Sequence, residues 1–290
     1  MIKIFILPTS GFLRPDTQPF IYPNHNQDYG VEQDFYSYLK KNRFLLADSP
    51  KTADWHYLPV FWTRYYLNNN YGSNGIDEAQ KEVNRVIIDD KKTFTIVQYD
   101  DGPLVDLGNA TLFLSSRKSS RGIDIPLLCS PHKVPFFLPR KRYTASFSGR
   151  VSTHAIREDM FRNLSENKEV FLHDGHFKSS EFTKIILQSY FSLCPRGYGG
   201  SSFRLFESLQ LGVAPICIGD IDTRPFKGHI RWEDFSFYIS DTKDLHNILN
   251  HYSKLSARTM GSIGRSIYKN QVTFFKWCDL LIKELNICKA

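Results

Sequence analysis

The chain has little cysteine and no cysteine pattern. Five occur in 290 residues (Cys129, Cys194, Cys217, Cys278, Cys288), and neither CxxC nor any other ligand-like spacing joins them. The odd count and the apolar neighbours of Cys194 and Cys217 predict reduced core thiols in a reducing compartment. Long apolar runs are also missing. The opening "MIKIFILPTSGF" is too short for a signal peptide and stops at Pro8. No later window approaches the roughly 18 apolar residues that a membrane span needs. The sequence therefore predicts a soluble, cytoplasmic protein with no membrane anchor. HExxH, Walker A and Ser–His–Asp orderings are absent, which leaves metalloprotease, P-loop and serine-hydrolase chemistry without support.

What is present is a globular composition, 41% hydrophobic and 14% aromatic, with a net charge of +7. Such a balance suits an anionic partner. The basic residues are dispersed apart from "PRKR" at 139–142, which argues against a nucleic-acid track. Short apolar runs alternate with helical periodicity. "IKIFIL", "DWHYLPVF", "TFTIVQY" and "ATLFLSS" read as strands, and "VEQDFYSYLKKN" and "GIDEAQKEVNRVIIDD" as helices. A Pro-rich stretch, "CSPHKVPFFLPRKR", reads as a linker. A second series follows it, from "TASFSG" through "THAIREDMFRNL", "EVFLHDG" and "SSEFTKIILQSY" to "FSLC" and "VAPICI". "DTKDLHNILNHYSKL" and "SIYKNQVTFFKWCDLLIKEL" read as closing helices. The alternation predicts α/β architecture, two Rossmann-like domains facing each other across a ligand cleft. Their expected extents are 1–138 and 139–265, with a C-terminal helix in 266–290 packing back across the domains.

One segment carries the chemistry: "FSLCPRGYGGSSFRLFESLQLGVAPICIGD", residues 191–220. Gly197, Gly199 and Gly200 allow a tight turn and close approach to a ligand. Ser201 or Ser202 suits the N-cap of the helix that follows, and the positive end of that helix favours phosphate. Arg196 adds a planar cation able to fork a diphosphate. Gly212 marks the helix stop. Glu207 could reach the vicinal hydroxyls of a ribose, or could pair with Arg204 three residues earlier on a solvated face.

This segment resembles the nucleotide-sugar signature of the exostosin-like glycosyltransferases, glycosyltransferase family 47, in which C-P-R-G, Ser-Phe-Arg, a helix Glu and G-x-x-P follow in this order. "ADWHYLPVF" (53–61), "VQYDDGP" (97–103) and "ASFSGR" (145–150) followed by Arg157 resemble further family segments. The resemblance implies a GT-B fold and an inverting transfer from a UDP-sugar to a glycan or glycoprotein hydroxyl, by a compact, anchorless member as in large DNA viruses or bacteria. By matching position, Glu207 would hold ribose. Arg196, Gly197, Ser201 and Ser202 would hold the diphosphate, helped by Arg150, Arg157 and Arg204. Tyr99 replaces the family's His in the acidic turn, so no role carried by that His is expected here.

Asp100 is the candidate base and Asp101 its rival, because the acidic turn ends a strand in the acceptor half. Trp55, Trp62 and Tyr65 are the candidate acceptor platform, since aromatic faces stack on sugar rings. Xylose is the favoured donor sugar, and neither metal nor cofactor is expected. Two alternatives stand beside this reading: a nucleotide-sugar or glycan binder without turnover, and a metal-dependent GT-A-like transferase using the D-x-D of Asp220 and Asp222.

Overall fold

The computed structural model describes residues 2–15, 30–128, 131–273 and 275–288. Cys129 lies outside them. The chain divides into two compact units, residues 1–126 with 274–290, and residues 127–273. Among the described residues no helix is long and apolar enough to cross a membrane.

The first unit holds a five-stranded parallel sheet: β1 (Ile4–Ile6), β2 (Trp55–Tyr57), β3 (Thr93–Val97), β4 (Thr111–Leu114) and β5 (Ile123–Asp124), side by side in that order. All five residues of β3 are buried, as expected of a parallel strand covered on both faces. Helix α1 (Val31–Lys41) buries Val31, Phe35, Tyr38 and Leu39, one stripe at helical spacing. Its acidic first turn and basic last turn both suit the helix dipole. Beyond α1, Leu46 bridges Ile4 in parallel on the side of β1 away from β2. The winding direction therefore reverses at β1, which gives this sheet a topological switch point. Two further helices follow, α2 (Trp62–Asn68) and α3 (Ile76–Val86). The sequence reading had no helix at α2.

The second unit is doubly wound in the flavodoxin-like order. Strands β6 (Tyr143–Gly149), β7 (Val170–Asp174), β8 (Ser189–Pro195), β9 (Ala214–Ile218) and β10 (Phe237–Ile239) lie parallel in the order β10-β9-β8-β6-β7. Helices α4 (Ala155–Leu164), α5 (Ser179–Leu187) and α6 (Phe203–Leu211) connect them, and α7 (Asp244–His251) and α8 (Lys254–Ile267) follow β10. The switch point falls between β6 and β8. Cys194 and Cys217 sit opposite each other on β8 and β9 as buried, unbridged thiols.

The domain boundaries differ from the sequence reading in two places. The first break lies at residues 126–127 rather than 138–139. Much of the Pro-rich stretch folds onto the second unit: His132 exchanges two hydrogen bonds with the Gln210 side chain, and the Lys141 ammonium donates to the Ser189 carbonyl. The expected closing helix over 266–285 is interrupted. A π-turn at Tyr268–Val272 ends α8, Phe275 takes a left-handed φ of 66°, and α9 (Lys276–Cys288) starts afresh. Helix α9 belongs to the first unit, where Trp277, Leu281 and Leu285 are buried and the Trp55 indole N–H donates to the Leu285 carbonyl at 3.1 Å.

Candidate active site

Crevices at switch points form outside the carboxyl ends of the strands. In the second unit that edge is made by Gly149 at the end of β6, Arg150 just after it, and Arg196 to Gly200 after β8. Two of the glycines pack closely against arginine side chains. A Cβ at Gly197 would lie 3.2 Å from an Arg157 guanidinium nitrogen, and one at Gly149 would lie 3.4 Å from an Arg204 nitrogen. The loop then enters α6. Ser202, in extended conformation, caps the helix, its hydroxyl accepting from the Arg204 N–H at 3.4 Å. Gly212 closes it with a φ of 72°. The hydroxyl of Thr223 donates to the Gly200 carbonyl and fastens the loop after β9 to the glycine loop. A small cavity opens here, lined among others by Gly200, Ser202, Asp222, Arg224 and Tyr238.

The arginines at this edge have distinct tasks. Arg157, from α4, donates to the carbonyls of Arg196, Arg150 and Pro195 at 2.8, 2.8 and 3.2 Å, and so ties the two loops that flank the switch point. Burial, with the Arg204 charge beside it, holds its guanidinium down to about 10. Arg204 donates to the Ser148 carbonyl and lies over the Phe147 ring at 4.4 Å. Its Nε and Nη1 are shielded from water and have no hydrogen-bond partner. Unsatisfied buried donors are costly, and here they leave two N–H directions of a buried guanidinium open. Arg196 is buried and ion-paired with Asp220, and its Nε donates to the Gly199 carbonyl. In this conformation its guanidinium braces the glycine loop rather than presenting an open fork. Arg150 is exposed at the same rim, and Ser201 is buried at the loop.

Asp220 and Asp222 are both neutralised by arginine. Asp222 takes a bidentate pair from Arg224 at 2.9–3.2 Å and a contact from Lys227 at 3.0 Å. Burial alone would raise the Asp222 carboxyl, but its bonds to Arg224 and Lys227 outweigh it and hold it below the usual range. Arg224 lines this candidate site, and the sequence reading missed it. Its one signal is the spacing to Asp222 two residues earlier, which is common by chance.

Glu207 is not on a solvated face. It is 3% exposed, and its Oε1 lies 2.8 Å from Nε2 of His132, a residue 75 positions away and itself buried. His132 was also missed. It sits in a stretch of prolines without periodicity, and nothing local marks it.

A family description, that of the exostosin GT47 domain, matches residues 106–252, just over half of the chain. The chain belongs to this family. The matched region contains His132, Arg150, Arg157, Arg196, Arg204, Glu207 and Arg224. Similar curated proteins include "Probable glucuronoxylan glucuronosyltransferase IRX7" of Arabidopsis thaliana, 31% identical over 124 residues, 42% of this chain and 27% of that one. The "Exostosin-1 homolog" of Caenorhabditis elegans is 28% identical over 90 residues, 30% of this chain and 24% of its own. "Probable beta-1,4-xylosyltransferase IRX10L" of Arabidopsis thaliana is 28% identical over 97 residues, 33% and 23% of the two chains. The match thus spans about a quarter of each relative's length. Among solved structures, TarM resembles this chain at a TM-score of 0.39 and 11% identity, over 70% of this chain and 56% of TarM.

The family match begins after the remaining candidates, all of which lie in the first unit. Asp100 is half-buried and Asp101 exposed in a turn at the end of β3, closed by the Gly102 N–H donating to the Tyr99 carbonyl. Lys118 pairs with Asp101. The aromatic platform requires correction. Trp55, Trp62 and Tyr65 are 5%, 0% and 3% exposed, so their faces are covered by protein and not offered to a sugar. Their polar atoms are also satisfied internally, the Trp62 indole by Thr95 and the Tyr65 hydroxyl by the Gly75 carbonyl. Clustering of large aromatics in sequence here reports core packing.

Proposed function

We propose that this chain is an inverting, UDP-sugar-dependent glycosyltransferase acting on a glycan hydroxyl, with xylose the first donor sugar to test. One observation carries the reading. The carboxyl edge of the second unit combines a glycine loop, a capped helix N-terminus and the guanidinium groups of Arg150, Arg157, Arg196 and Arg204, with Glu207 one turn further along the helix. A diphosphate fits that charge and Glu207 fits a ribose diol. As the sugar moves to the acceptor, negative charge grows on the departing diphosphate, and preorganised cations and helix N–H groups stabilise such charge. Asp100 is the proposed base that takes the acceptor proton, with Asp101 as its rival. Metal is not required in this reading, because Arg196 and Arg224 already occupy the two carboxylates of the D-x-D.

The test is release of UDP from UDP-xylose, UDP-glucuronic acid and UDP-galactose with a panel of oligosaccharide acceptors, in EDTA and with Mn²⁺. Turnover with one donor, unchanged by EDTA, is expected. Asp100→Asn should cut transfer by about 10²–10⁴-fold, the range of general-base catalysis, and leave UDP affinity unaltered. UDP binding without turnover of any donor would make the chain a binder, and rescue by Mn²⁺ alone would restore the D-x-D mechanism.

A further inference from the structure

We propose that His132 is a positioning residue that fixes the carboxylate of Glu207 and so gives the nucleotide site its preference for ribose over deoxyribose. The proposal rests on the ribose role assigned to Glu207 above. A carboxylate withdrawn from water needs strong local hydrogen bonds. Arg204, the near neighbour in sequence, is turned toward Ser148 and Phe147. His132 supplies a hydrogen bond to Glu207 at 2.8 Å, between groups that are 0% and 4% exposed at the side chain.

His132 is itself held from several directions. Nδ1 lies 3.1 Å from the Ser179 hydroxyl at the start of α5, and the ring packs 5.3 Å from that of Phe182. Its backbone N–H donates to Gln210 Oε1 and its carbonyl accepts from Gln210 Nε2, both at 3.2 Å. Gln210 lies three residues beyond Glu207 on α6, so one helix face grips both ends of the contact. A Ser179 hydroxyl donating to Nδ1 leaves Nε2 protonated and donating to Glu207, a tautomer assigned from this network. With Oε1 fixed, the carboxylate no longer swivels about its terminal torsion, which is otherwise broad. A fixed carboxylate plane can accept from two vicinal hydroxyls together. A swivelling one meets them with poorer geometry and discriminates less.

Calorimetric titration with UDP and with 2′-deoxy-UDP tests this, on the native chain, Glu207→Ala, His132→Ala and His132→Gln, each checked for its thermal transition. The native chain is expected to favour UDP by about tenfold, the scale of one good hydrogen bond to a charged group. His132→Ala should lose that preference through UDP alone, with 2′-deoxy-UDP unchanged. His132→Gln should recover part of it, since its amide nitrogen can stand near Nε2. Equal weakening of both ligands in His132→Ala would show a merely structural role and overturn the proposal. An unchanged preference in both His132 variants would overturn it too, even if Glu207→Ala abolishes that preference. If Glu207→Ala leaves the preference intact, the ribose role falls first and the proposal with it. Should His132→Ala fail to fold, His132→Gln against the native chain decides by the same ratio.

Discussion

Glu32 opens α1 and is wholly buried, with donors converging on its carboxyl. Oε1 accepts from the Gln98 N–H at 2.8 Å and from the Thr63 hydroxyl at 3.1 Å, and both oxygens lie 3.2 Å from the Thr63 N–H. Burial pushes its pKa up to about 8 from 4.5, although these bonds and the Arg64 charge pull the other way. Between those two values the unfolded chain has released the proton and the folded chain keeps it. Stability must therefore fall as pH rises through the window. Glu32→Gln retains an oxygen for Gln98 and Thr63 without a charge to bury. Its urea midpoint should fall less between pH 5.5 and 8.5 than that of the native chain, and should exceed it at pH 8.5. Parallel falls in the two proteins would mean that Glu32 is not titrating in this range. What the sequence shows at this scale is uneven. Arg196 and Glu207 could be placed on a loop and a helix from spacing alone, whereas their partners Asp220 and His132 lie 24 and 75 residues away. Burial and partnership are long-range properties, and a local pattern does not contain them.

Eight of the ten strands described were legible as short apolar runs, as expected of parallel strands packed under helices; β5, two half-buried residues, and the three-residue β10 were not. The glycine loop into α6 was legible for a similar reason, since turn and cap residues act locally. Interruptions within helices were not. One apolar periodicity runs through 241–255, yet Ser253 caps a new helix with its hydroxyl accepting from the Ser256 N–H at 3.0 Å. The face that α8 presents is also set by tertiary contact. A Cβ at Gly261 would stand 2.3 Å from the Gly212 carbonyl oxygen and 2.9 Å from its carbon, backbone atoms that cannot rotate away. Gly261→Ala gains roughly 1 kcal/mol of helix propensity, but the clash costs about 1–3 kcal/mol as overpacking. The expected result is a lowered denaturant midpoint. Gly228→Ala, where a Cβ would meet nothing within 4 Å, should leave it unchanged. A midpoint raised by Gly261→Ala would show that α8 is not seated against the end of α6.

The chain returns to its first unit after completing its second; a closing helix that packs back was expected from the sequence, but the point at which the chain changes unit was not. The closing segment shows continuous helical periodicity, so the change of unit near residue 273 leaves no break in the pattern. What ties α9 to the first unit is contact. The Trp277 ring lies 6.1 Å from that of Phe35, the Tyr38 hydroxyl donates to Asp279 at 2.7 Å, and Leu281 and Leu285 are wholly buried. Each large apolar side chain buried is worth about 1.5–3 kcal/mol, and a whole domain has a margin of only about 5–15 kcal/mol. Removal of residues 274–290 should therefore exhaust most of the stability of the first unit. The second unit, residues 127–273, keeps its entire sheet and its candidate site. In a thermal scan the truncated chain should show one cooperative transition in place of two. That transition should still rise on addition of UDP, as expected when a ligand binds only the folded form. Two transitions at their original temperatures would show that α9 adds nothing to the first unit. Loss of both would show that the second unit does not stand without it.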